Sequence, residues 1–188
     1  VKPRKRQATN DKGGKIMNCY GKVILYIYPA LEEVSAQIDE LVMRRALASF
    51  SDTSDCAAQA ERIIGYIHQK DLLMELKLGV DAVLEKFSEE DVKYFEYKYF
   101  KRKPKSFFEG FDAAGRGYFR KQIKLYEEFC ERLEKRGFTE SRFERDYLPM
   151  DFMRDLVRRV ERSERKAAEL AVRRRKTAVG AKAGAGAE

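Results

Sequence analysis

The chain has 188 residues, enough for one domain or two small ones, with 44% hydrophobic and 37% charged residues and no Trp. Its formal charge of +8 suits a polyanionic partner. Cys19, Cys56 and Cys130 are far apart, and His68 is the single histidine, which argues against a zinc site and a disulfide framework. No apolar run approaches the ~20 residues needed to cross a bilayer. These features predict reduced thiols, a cytoplasmic location, and no metal, cofactor or membrane.

Residues 1–16 hold six basic residues and one acid, and read as a disordered basic arm or an upstream extension. Gly21 to Phe50 reads as one long helix, with Pro29 either near its first turn or at a mild kink. Ile27, Leu31, Val34, Ile38 and Leu41 form an apolar seam along it. The run SDTSD at 51–55 is a turn rich in N-capping residues. A second helix follows, from about Cys56 to Lys86. Ala60, Ile63, Ile64 and Ile67 make its first stripe, and Leu73, Leu76, Val80, Val83 and Phe87 its second, with a phase slip near Lys70. Two such helices with a short connection predict an antiparallel hairpin over 17–87.

Ser88 caps the next helix, which buries Val92, Phe95, Tyr99 and Phe100. Pro104 opens a further helix with Phe107, Phe108 and Phe111. After a turn over 112–117, Tyr118 to Lys135 is helical and Gly137 ends it. Phe119, Ile123, Tyr126, Phe129, Cys130 and Leu133 are read as its inward face. Thr139 caps a short helix carrying Phe143, Tyr147 and Leu148. Pro149 opens the last one, with Phe152, Leu156, Val157 and Val160 as its stripe. Residues 138–176 are thus C-terminal helices, basic at the end, and 177–188 a disordered low-complexity tail. The fold class is all-α: a long antiparallel helical hairpin, then a helix-turn-helix over 88–137, then a basic C-terminal helix.

Between Lys101 and Lys124 there are eight basic residues and two acidic ones. In a helix-turn-helix the last helix lies in a DNA major groove. Its donors here would be Arg116, Tyr118, Arg120, Lys121, Gln122 and Lys124, over a wedge of Phe95, Tyr99, Phe108, Phe111, Phe119 and Ile123. Arg forks onto guanine and Gln onto adenine, while Lys serves phosphate. Lys101, Arg102, Lys103 and Lys105 stand where backbone phosphates would pass.

The segment SEEDVKYFEYKYFKRKPKSFFEGFDAAGRGYFRKQIKLYEEFCERL resembles the C-terminal helix-turn-helix domain of bacterial sigma factors. Tyr99-Phe100 matches that family's Tyr-Phe pair and Arg116 the Arg of its turn. Arg120, Lys121 and Ile123 fall in its basic recognition helix. The resemblance implies a DNA-binding, transcription-related regulator that is not an enzyme. Over most of residues 17–165 the chain is also similar to small proteins of anaerobic Firmicutes that share FEYKYFKRKPK and bring no activity with them. It departs from the sigma pattern where Ala114, Gly115 and Gly117 replace a capping Ser or Thr. Phe107, Phe108 and Glu109 replace a small alanine, and residues 17–87 lack the promoter-melting signature.

Duplex DNA is therefore the expected partner. The alternative is a protein-interaction or structural helical module, binding RNA polymerase or a second copy through the hairpin. RNA would be favoured by exposed aromatic platforms. The paired acids Glu32-Glu33, Asp39-Glu40 and Glu127-Glu128 suggest no general acid or base, and no phosphate loop of nucleotide-binding type occurs.

Overall fold

A computed structural model describes residues 19–49, 56–101, 103–111 and 116–184; the basic arm, the capping-rich turn 51–55 and residues 112–115 lie outside them. The described residues form helices and no strand.

Helix α1 (Cys19–Ile27) carries the longest apolar run of the sequence, and Val23, Ile24 and Leu25 are essentially inaccessible. A helix that is apolar all round must be surrounded. Here α7 (Asp151–Gly184) lies along it, and α5 (Arg116–Lys135) also packs against it. Each aliphatic side chain buried there contributes roughly 1.5–3 kcal/mol. The long helix expected from Gly21 is broken after Ile27 by a 3₁₀ turn, Tyr28–Ala30, before α2 (Leu31–Ser49) resumes. Pro29 is the cause, because it has no N–H to continue the ladder.

Helices α2 and α3 (Cys56–Leu84) pack antiparallel. Lys70 meets Asp39 at 2.7 Å and Lys77 meets Glu32 at 3.2 Å, which fixes the register. Ile27, Leu31 and Ile38 of the expected seam are buried, and Val34 and Leu41 are half-buried. Opposite them Leu73, Leu76, Val80 and Val83 are buried, with Phe87 half-buried. The earlier α3 stripe behaves differently. Ala60, Ile64 and Ile67 face solvent, and only Ile63 is half-covered. The phase slip explains this. A straight helix cannot turn both stripes to one partner, and the larger one took the core.

Ser88 Oγ accepts the Asp91 N–H at 3.2 Å and starts α4 (Glu89–Phe95). The helix ends in a π-turn over Glu96–Phe100, closed by the Lys101 N–H donating to the Glu96 carbonyl at 2.8 Å. Lys101 is left-handed, with φ 51°, at a position that usually favours glycine. Phe95 and Tyr99 are buried as expected, and Val92 and Phe100 half-buried. The helix expected at Pro104 is a single 3₁₀ turn, Lys105–Phe108, so the full first helix of a helix-turn-helix pair has no full second partner before α5.

Gly137 (φ 88°) ends α5. The Phe138 N–H reaches the Leu133 carbonyl at 3.2 Å and the Gly137 N–H reaches Glu134 at 2.9 Å, a Schellman cap. Phe138 then lies on α3 at Gly79, where a Cβ would stand 2.3 Å from its ring. Thr139 Oγ1 accepts from the Arg142 N–H at 3.3 Å and caps α6 (Glu140–Asp146). Phe143 and Tyr147 are buried. Along α7, Met153 and Val160 are buried, while Phe152, Leu156 and Val157 are half-buried. Residues 161–170 are all exposed, and the backbone continues as helix to Gly184.

Candidate nucleic-acid interface

The charge of the chain is not all at its surface. Lys22 is buried in an ion pair with Glu164 of α7. Lys98 lies 5.1 Å over the Tyr99 ring, and burial there, reinforced by Lys22, pushes its ammonium below the usual lysine range. In the second half of α5, Arg132 pairs with Glu128 at 2.5 Å and Lys135 with Glu131 at 2.7 Å.

The first half of α5 is turned about its axis relative to the expected phase. Tyr118 and Gln122 are buried, and Gln122 Nε2 donates to the Tyr118 hydroxyl at 3.2 Å. The Tyr118 ring stacks on Tyr94 of α4, with centroids 5.4 Å apart and planes at 17°. Burial in that stack raises the phenol above its ordinary range and keeps it neutral. Neither residue can reach a base edge, which corrects their assignment as donors. Conversely Phe119 is 56% exposed and Ile123 49% exposed, so neither belongs to the wedge that was expected to bury them. The inward row runs through Tyr118, Gln122, Leu125, Tyr126, Phe129, Cys130 and Leu133.

Lys121 is half-buried. Its Nζ sits 2.7 Å from Asp91 Oδ1, within ion-pair range though off line for a straight hydrogen bond, and 5.0 Å from the centre of the Tyr94 ring. Asp91 holds the Lys121 ammonium above its usual range, and Lys121 holds the Asp91 carboxyl below its own. Lys121 therefore ties α5 to α4, and its charge is largely spent there.

Arg120 and Lys124 are exposed, one helical turn apart, and no ion pair involves them among the described residues. Lys101 is exposed at the left-handed cap, and Lys103 is exposed with its ammonium 5.3 Å over Phe107. The Arg116 backbone opens α5, and Lys105 lies in the 3₁₀ turn; their side chains, and Arg102 as a whole, lie outside the described residues. Of the ten residues expected to bind DNA, the structure thus shows Arg120, Lys124, Lys101 and Lys103 exposed.

Reading from sequence missed Phe119, Ile123, Phe107, Tyr97 and Lys93 on this side of the molecule. The available signal was the pair of (i, i+4) rows that run side by side on α5, Phe119 with Ile123 and Arg120 with Lys124.

Elsewhere a cleft of about 650 Å³ is lined by Tyr28, Asp81, Glu85, Glu96, Phe100 and Lys103, among others. Its carboxylates have the wrong sign for a polyanion. His68 is exposed, and no group of three metal-ligating side chains occurs among the described residues. No family model, curated protein or solved structure matches the chain.

Proposed function

We propose that this chain binds nucleic acid through the outer flank of the first half of α5, without catalysis, in the transcription-related role that its sigma-like residue pattern implies. The observation that carries this reading is Arg120 and Lys124, exposed and without an ion pair among the described residues, on a helix whose later cations are paired internally. Exposed cations on a helix displace condensed counterions from phosphates, and that release favours binding at low salt. With Gln122 and Tyr118 withdrawn, few donors remain for base edges. Affinity then depends on phosphate contacts more than on a hydrogen-bond code.

The test is a fluorescence-anisotropy titration of duplex and single-stranded oligonucleotides over a salt series. The double variant Arg120→Gln/Lys124→Gln should weaken binding and flatten the salt dependence by about two phosphate contacts, each near 0.9 in the log–log slope. An unchanged slope would remove this flank from the interface.

One observation favours a second reading. Met43 and Leu47 of α2 and Ile64 and Ile67 of α3 are all exposed toward the distal end of the hairpin. Apolar side chains collected there suit a protein contact, with a second copy or with RNA polymerase. Light scattering on Met43→Glu/Ile64→Glu decides it, since a monomer in both wild type and variant would remove self-association.

A further inference from the structure

The nucleic-acid reading leaves open which form of the polymer is held. The exposed rings bear on that choice. Phe119 is 56% exposed, and Tyr97 and Phe107 are each 41% exposed. All three belong to one continuous set of ring contacts, Phe107–Phe108–Tyr97–Tyr118–Phe119, with centroid spacings of 5.1, 5.2, 6.0 and 5.3 Å. Phe119 touches Tyr118 edge-on, at 81°, and a perpendicular contact occupies at most one face of a ring. Phe107 meets Phe108 at 88°, and Lys93 and Lys103 reach 5.8 and 5.3 Å from its centre.

A wholly apolar partner would have no use for the cations around these rings. A duplex would use the cations, but its bases keep their faces inside the stack. A polymer with both accessible π-faces and a regular negative charge matches the whole patch. Base–aromatic stacking beside a cationic track is the general mode by which single strands are held. Between Lys103 and Lys124 the described residues include one acid, Glu109, although Lys103 also borders the cleft that holds Glu85 and Glu96.

We propose that Phe119, Phe107 and Tyr97 are stacking platforms for unpaired bases of a single-stranded nucleic acid whose phosphates pass Lys103, Arg120 and Lys124. This rests on the nucleic-acid reading above and adds a strand preference to it. The three platforms are not in direct contact but are linked through Phe108 and Tyr118, each ring contact 5.1–6.0 Å, so together they fit a strand of several nucleotides rather than one base.

The experiment uses the full chain and three labelled probes: oligo-dT and oligo-rU of about 12 nucleotides, within the range one stacking surface covers, and a mixed-sequence duplex of similar length. Wild type should bind one or both single strands roughly tenfold or more tighter than the duplex. Phe119→Ala and Phe107→Ala should each lower single-strand affinity by roughly tenfold, with the salt slope and the thermal melt unchanged. Phe119→Trp should restore binding, and Phe119→Leu, which keeps apolar contact without a π-face, should not. Equal binding by wild type and both ring variants, or a duplex bound as tightly as the strands, would overturn the stacking proposal and leave nucleic-acid binding in place. No binding of any probe at low salt would overturn both.

Discussion

Helix α5 is two helices in one. From Leu125 to Lys135 its apolar row is closed on by α3 and α1, and its cations answer its own acids one turn away. From Gly117 to Lys124 the rings packed against it among the described residues are Tyr94 of α4, Tyr97 of the π-turn and Phe111. There the buried row is Tyr118 and Gln122, while phenylalanine, isoleucine, arginine and lysine share the open side. Two turns of similar composition thus acquire opposite roles because of what packs on them.

The contrast should be plain in stability. Phe129→Ala empties a fully buried site and should cost about 3–5 kcal/mol in denaturant unfolding. Phe119→Ala, one ring of the same type ten residues earlier, should change stability by no more than about 0.5 kcal/mol. Equal losses would mean that the first half of α5 is core after all.

A smaller effect tests the closed half at its far end. Gly79→Ala forces a methyl against Phe138 and should cost about 1–3 kcal/mol by thermal melting. Nucleic-acid affinity should not move.

A smaller effect still tests the hold of α4 on the open half. Asp91→Asn removes the ion pair to Lys121 and should cost at most about 1 kcal/mol at neutral pH. The folded carboxyl of Asp91 titrates lower than an unfolded one, near 3.9. Its contribution is therefore present above that value and fades as pH falls toward the folded pKa. Wild type and variant should converge in acid, and a gap that persists there would show that the loss is not electrostatic.

The smallest effect is chemical. Burial pushes the Cys130 thiol up to about 11, while Cys56 is exposed. In a Cys19→Ser background, iodoacetamide at mildly alkaline pH should label Cys56 and spare Cys130 until the chain is denatured. Rapid double labelling would contradict the closed packing around Phe129.

Much of this architecture is legible in the chain, and the reason is locality. The Ser88 and Thr139 caps and the Gly137 stop need only side chains and backbone within a few residues, and each formed at the predicted place. The core stripe of α3 from Leu73 was legible too, since four large aliphatics on one face leave little choice. The phase of α5 was not legible at its start. Phe119 with Ile123 is the more apolar pair, and periodicity alone favours burying it. What decides otherwise is the Tyr94 ring, 24 residues before Tyr118, and the hydroxyl that Gln122 meets only inside the fold. The α3 stripe at Ile64 and Ile67 failed because a straight helix that turns Leu73 to Val83 toward α2 carries the earlier, out-of-phase stripe to solvent. Which basic residues are free was equally hidden, as Lys121 looks like Arg120 until Asp91 is placed.

The bare position at Gly79 has a practical meaning. The junction between α5 and α6 is seated in a notch one hydrogen atom deep, at the opposite end of the helix from Arg120 and Lys124. A single added carbon there can be used as a graded dial on rigidity. Turning it would loosen the far end of α5 while leaving every atom of the gripping surface, and its grip, as they are.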